Sequence, residues 1–283
     1  MTVNTHITGA YPGDVSRFLP SGQECQILLF FKFTIIIPKM HNTISMFKQI
    51  DNAIGELLFP PVCHNCEQLI GAETPIPILC ESCISALQSV PDSWIETRIL
   101  AKMTPRHIDQ MWAAFCFHDQ IQHIAHAFKY KQMPDLARKT GRWIASQPNF
   151  PTFATTADMI LPVPLHWKRR QIRGYNQSER LAAGLFPEYK CDTKFLKRKR
   201  HTQSQTKLKR TDRRKNVADA FVLRSPEKIA GKTVLLIDDV VTTGATLNEC
   251  ARTLKENGAV QVFAIAIATP VFEEEETAVN WDF

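Results

Sequence analysis

No stretch of this chain offers a membrane-crossing helix. Its most apolar run, Ile27 to Ile37, is interrupted by Lys32 and falls well short of the roughly 20 consecutive apolar residues a spanning helix needs. Its β-branched and aromatic residues suit an extended segment at least as well as a helix. A basic start and a small-residue cleavage site, the marks of a secretory leader, are not evident. A disulfide framework is missing too. Eight cysteines are present, but four sit in two tight pairs, which points to metal binding in a reducing compartment. Cys25, Cys116, Cys191 and Cys250 are scattered and read as small apolar residues. Compositional extremes are absent as well. At 44% hydrophobic and 22% charged, the chain is an ordinary globular one, and 283 residues make one large or two unequal domains.

The net charge of +6 is modest but unevenly spread. A basic segment runs from Lys194 to Lys215, and Glu273 to Glu276 form an acidic knot. Such asymmetry suggests a polyanionic ligand.

The most informative stretch is Thr233 to Leu247. An apolar strand-like run ends in Asp238 and Asp239. A Thr/Gly loop follows, and then Leu247, Cys250, Ala251 and Leu254 repeat at helical spacing. Strand, turn and helix in that order place the turn at the carboxyl edge of a sheet, where open α/β folds bind ligands. Gly244 lets the backbone approach a ligand closely. Amides of Thr242, Thr243, Gly244, Ala245 and Thr246 open the helix and form a cradle for a phosphate, which the threonine hydroxyls supplement. Paired carboxylates beside such a cradle suit vicinal hydroxyls and Mg²⁺. A ribose 5-phosphate meets both demands. The pattern of paired acids followed by T-T-G-x-T resembles the phosphoribosyl pyrophosphate (PRPP) motif of type I phosphoribosyltransferases, against the plainer alternative of a buried strand and a capped helix.

A second strand, Asp158 to Pro164, leads into a dense basic loop with His166, Lys168, Arg169, Arg170 and Arg173. A helix then begins near Asn176 or Ser178. Guanidinium groups bind phosphate oxygens in bidentate fashion, so Arg170 and Arg173 are expected to hold the pyrophosphate of PRPP, with Asn176 beside them. The alternative is a solvated basic loop.

Cys63-x2-Cys66 and Cys80-x2-Cys83, thirteen residues apart, have the spacing of a structural four-thiolate zinc ribbon. Chance pairs or redox dithiols are the alternatives. His64, inside the first knuckle, is expected to be exposed rather than ligating. His118, His123 and His126 have no carboxylate or cysteine at ligand spacing and read as solvent-facing or core residues. Between ribbon and site, Met111 to Phe117 reads as a strand, and helices are expected from Asp119 toward Lys131 and from Asp135 to Ser146. Lys129-Tyr130-Lys131 places positive charge at a helix end, within reach of a phosphate. Lys190 to Leu196 and Asn216 to Val222 read as strands. The basic tract between them is a lid, a nucleic-acid tract or a solvated charge run, and it has no interleaved aromatics for base stacking.

The order of motifs from about Met46 to Pro270 resembles the ComF family. It runs from the ribbon through Pro162-Val163-Pro164-Leu165-His166 and Arg173-Gly174-Tyr175-Asn176-Gln177. Thr202, Gln205, Leu208, Arg213, Asn216-Val217 and Ala220-Phe221 follow, and then the acidic pair with its loop. The resemblance implies a type I phosphoribosyltransferase-like parallel sheet flanked by helices behind a zinc ribbon, a cytoplasmic location, and a role in uptake or use of external DNA (natural transformation). It implies PRPP, Mg²⁺ and structural Zn²⁺ as ligands, single-stranded DNA and a competence helicase or DNA-processing protein as partners, and no membrane. Asp238, Asp239 and Arg173 are then the expected catalytic residues of a phosphoribosyl transfer. The rival reading is a non-catalytic DNA-binding competence factor that uses the same site as a ligand or 5-phosphate sensor. No general base or base-specific residue stands out. The expected division is 1–45 extension, 46–90 ribbon, 91–272 phosphoribosyltransferase-like domain and 273–283 acidic tail. Residues 1–45 depart from the family pattern, so translation from Met46 or Met40 is expected.

Overall fold

A computed structural model describes residues 25–30, 33–38, 60–71, 74–130, 133–189, 193–199 and 217–271. The helix expected over 47–59, most of the basic tract (200–216) and the acidic tail lie outside the described residues. Pro61–Phe283 form one compact unit, and a different one ends at Pro60. In the latter, β1 (Cys25–Phe30) and β2 (Phe33–Pro38) pair antiparallel, so the apolar run is extended.

The larger unit is built on a four-stranded parallel sheet. Its order is β3 (Gln110–Cys116), β8 (Gln261–Thr269), β7 (Thr233–Val240) and β4 (Met159–Pro162). The central strands β7 and β8 are apolar almost throughout, as strands covered on both faces must be. Alternation sorts their side chains. Leu235, Ile237, Phe263, Ile265 and Ile267 join one buried cluster, while Val234, Leu236, Val262, Ala264 and Ala266 join the other.

The first face is covered by α2 (Asp119–Tyr130), α3 (Pro134–Ala145) and α5 (Gln177–Leu185). Helices α3 and α5 approach so closely that a methyl group on Gly184 would stand 2.1 Å from the Arg138 carbonyl oxygen. One on Gly141 would stand 2.6 Å from that of Leu181. The second face is covered by helical turns over 92–102, by α6 (Ala245–Glu256) and by the short antiparallel pair β5 (Leu196–Arg198) and β6 (Phe221–Leu223).

Three expectations about local structure change. The basic loop after β4 is a helix, α4 (Trp167–Arg173), whose start is capped by His166 accepting from the Lys168 N–H and whose end is closed by Gly174 in the left-handed region. Of the strand expected over 190–196, residues 190–192 lie outside the described ones, 193–195 form a turn, and Leu196 opens β5. The strand expected from Asn216 begins at Phe221, because Asp219 takes a left-handed φ of 53° that no strand accommodates.

The cysteine module, which contains the short helix α1 (Glu81–Ser85), shares its core with the sheet. Cys63, Ile76, Ile78 and Leu79 are buried in the same cluster as Phe117, Ile121 and Phe128. Directly after the module the chain bonds along β3, where the Val90 N–H donates to the Ala114 carbonyl (3.4 Å) and the Cys116 N–H to the Gln88 carbonyl (2.8 Å).

Candidate functional site

The strands β4 and β7 end side by side, and the segments that follow them wall a cleft of about 180 Å³. Asp238, Asp239, Thr242, Gly244, Ala245 and Thr246 form one wall; Arg169, Arg173, Gln177 and Ser178 face it, with Lys129, Tyr130 and Arg198 completing the rim. Four cations thus stand against two carboxylates, a balance suited to a polyanion.

Gly244, with φ 69°, caps α6. A side chain there would be strained by that φ and would meet the Met103 methyl at 2.1 Å and Ile99 at 3.1 Å. The bend therefore depends on glycine, and it sets the start of α6, Ala245 and Thr246, in the lining of the cleft. The Thr243 hydroxyl accepts from the Ala245 N–H (3.4 Å). Its side chain lines a neighbouring cavity with His107 and Asn248 instead of the cleft.

Asp238 is held by Ser178 Oγ, which donates to its Oδ1 at 3.2 Å, and by the Asp239 N–H at 2.9 Å. Burial pushes its carboxyl up to about 7, and the neighbouring charge of Asp239 adds to this, against the pull of those two hydrogen bonds and of Lys129. Asp239 accepts from the Val240 N–H (2.8 Å) and lies 3.7 Å from Lys129 Nζ. Lys129 is placed by the end of α2, where the Phe128 carbonyl accepts from both Tyr175 Oη (2.6 Å) and Gln177 Nε2 (3.1 Å). Such bonds satisfy a carbonyl that a helix end leaves without an intrahelical partner.

Not every expected residue reaches the cleft. Arg173 does, with its guanidinium 5.8 Å from the Tyr130 ring centre. Arg170 is engaged elsewhere, donating to both carboxylate oxygens of Glu179 at 3.0 and 3.3 Å. Arg169 takes its place in the lining. Its pKa is lowered first by burial and then by Arg173. Asn176 is buried as the cap of α5, its Oδ1 accepting from the Ser178 N–H (3.2 Å) and its Nδ2 donating to the Val163 carbonyl (3.0 Å). It positions Ser178. Sequence reasoning missed Arg169, Gln177, Ser178 and Arg198. The helical phase of α4 would have found Arg169, since it shares a face with Arg173 at i, i+4. His118, His123 and His126 are all exposed, as expected of solvent-facing residues.

A second centre lies in the cysteine module, where the sulfurs of Cys63, Cys66, Cys80 and Cys83 all fall within 4.8 Å of one another. A tetrahedron with metal–sulfur bonds of about 2.3 Å has edges of about 3.8 Å, and Cys66 Sγ and Cys80 Sγ are 3.5 Å apart. The set fits a thiophilic metal ion. Asn65 Nδ2 donates to Cys83 Sγ (3.3 Å), the kind of outer contact that orients a ligand. The Ser82 hydroxyl, 3.0 Å from Cys80 Sγ, holds that thiol down to about 6, while burial pushes Cys83 up to about 12. His64 is half-buried and is not one of the four.

Paired acids and a glycine-bent amide cradle at the edge of a parallel sheet, facing basic side chains, define a phosphoribosyltransferase-like protein. Comparison with known proteins agrees: residues 173–282 match the phosphoribosyl transferase domain. Competence protein F of Haemophilus influenzae is 39% identical over 116 residues, covering 39% of this chain and 51% of that protein. DNA utilization protein YhgH of Escherichia coli O157:H7 is 40% identical over 107 residues, 37% of this chain and 46% of that one. Competence protein ComFC of Bacillus subtilis is 33% identical over 101 residues, 35% and 39% of the two chains. Within the phosphoribosyltransferase-like class, the chain is similar to these competence and DNA utilization proteins. The matched region spans about half the length of the first two relatives. Among the described residues, no helix is long and apolar enough to cross a membrane.

Proposed function

We propose that the cleft binds PRPP with Mg²⁺ and serves phosphoribosyl chemistry in the uptake or use of external DNA. The observation that carries this is that Asp238 and Asp239, the Gly244 bend, Arg169 and Arg173 line one cleft. In this reading the amides of 242–246 and the hydroxyls of Thr242 and Thr246 take the 5-phosphate, while the Thr243 hydroxyl faces the neighbouring cavity. Asp238 and Asp239 take the ribose hydroxyls and, as hard oxygen donors, suit Mg²⁺. Held there, Mg²⁺ would supply positive charge to the pyrophosphate leaving group. Arg169 and Arg173 hold that pyrophosphate from the other wall. As the bond at C1 of the sugar lengthens, positive charge develops there, and the fixed carboxylates stabilise it. Lys129 orients Asp239 across its 3.7 Å contact.

The names of the relatives, Competence protein F and DNA utilization protein, support the DNA context. Zinc is the metal that best suits four thiolates at the cysteine centre, in a structural role, since four protein ligands leave no open position. A reducing compartment such as the cytoplasm suits the free thiols. The acceptor of the phosphoribosyl group is sought among single-stranded DNA and free bases by assaying pyrophosphate release with PRPP and Mg²⁺. Release that disappears in Asp238→Asn/Asp239→Asn supports an enzyme. PRPP binding without release at any acceptor supports the sensor reading instead.

A further inference from the structure

Helix α4 is unusual in having no buried residue. A surface helix normally earns its place with an apolar stripe turned inward. Here the half-buried positions are Arg169 and Arg173, both in the cleft wall, while Trp167 and Ile172 are 56% and 76% exposed. The helix contains four cations, Lys168, Arg169, Arg170 and Arg173, and no acid. Aromatic and cationic groups are also paired across its surface. Lys168 Nζ lies 5.5 Å from the Trp167 ring centre, and the Arg173 guanidinium lies over half-exposed Tyr130 at the cleft rim.

Exposed apolar side chains on a monomer's surface mark an interaction site when they cluster, and the surrounding charge selects the partner. A dense positive charge requires a polyanion. Flat rings flanked by cations suit one that presents stackable faces along its backbone, which is the chemistry of single-stranded nucleic acid. A protein partner or a second copy would need acidic groups to meet Lys168, Arg169 and Arg173. We infer that α4 is a docking element for single-stranded nucleic acid, with Trp167 stacking on a base and Lys168 on the backbone, while Tyr130 and Arg173 guide the strand toward the cleft. The inference rests on the proposed function for DNA as the polymer. It moves the contact from the basic tract to the helix that walls the cleft.

Tryptophan fluorescence on the full chain tests it, with a thymidine oligonucleotide and an abasic deoxyribose-phosphate oligomer of the same length. The thymidine strand quenches the wild type, and Trp167→Phe removes most of that quenching. Trp167→Ala weakens thymidine binding by about 5- to 100-fold and leaves abasic binding nearly unchanged. Lys168→Ala lowers the slope of log affinity against log salt by about 0.7. Because Trp167 is exposed, both variants keep the wild-type melting temperature and the wild-type heat of PRPP binding. Equal quenching in Trp167→Phe, or equal affinity for the two oligomers, overturns the inference. So does self-association that Ile172→Ser abolishes in sedimentation, since α4 is then an interface between copies. Quenching without any PRPP heat in the wild type leaves the helix assignment standing and removes the PRPP reading.

Discussion

Replacing Asp238 by Asn should make the protein more stable and less able to bind its ligand. The carboxyl is raised from its ordinary 3.8 to about 7, chiefly by burial. A raised acid keeps its proton in the fold and loses it in the unfolded chain, so the native state binds more protons between those two values. Stability from this group is therefore fully present below about pH 4 and is lost as pH rises to about 7. At ~1.4 kcal/mol per pH unit, the loss is on the order of 4 kcal/mol. Asn has the same size and keeps an Oδ1 to accept from Ser178 Oγ and the Asp239 N–H, but it cannot ionise. Urea unfolding without Mg²⁺ should find the two proteins nearly equal at pH 4. At pH 8 the variant should be ahead by roughly 2–4 kcal/mol. The difference between the proteins isolates this carboxyl from others that titrate in the same range. A difference that stays constant from pH 4 to pH 8 refutes the reasoning.

Other outcomes follow from packing and the metal centre. Gly244→Ala should cost about 1–2 kcal/mol from the left-handed backbone alone, more from the collision with Met103, and should abolish PRPP binding; wild-type binding in the variant contradicts the cradle. Arg169→Ala should weaken pyrophosphate binding more than Arg170→Ala, since Arg170 is paired with Glu179, and inhibition constants for pyrophosphate compare the two. Metal analysis should find one zinc per chain. Cys63→Ser should lower the melting of the whole Pro61–Phe283 unit in a single transition, because Cys63 is buried in the sheet's own core. Separate melting of the module and the sheet would oppose that.

How legible all this is from the residues depends on what buries them. The passage from β7 to α6 can be read because an apolar strand, two acids, a glycine and a helical stripe each leave their own mark, and the tight cysteine spacing is equally plain. Helix α4 cannot be read that way, because with no buried residue it has no apolar period. Choosing Arg170 over Arg169 followed from that, since only the helical phase distinguishes them. Asn176 carries a polar side chain next to the cleft-lining Gln177 but uses both ends of its amide on backbone. Ser178 meets Asp238 from sixty residues away, a contact no local pattern announces. The ribbon's spacing is local, whereas its sharing of the sheet's core depends on α2, far along the chain.

The most direct test of the central claim is titration calorimetry of PRPP in Mg²⁺, comparing the wild type with Asp238→Asn/Asp239→Asn. The account predicts saturable heat at one site per chain that vanishes in the double variant. Absence of heat in a folded wild type, or an undiminished signal in the variant, contradicts it.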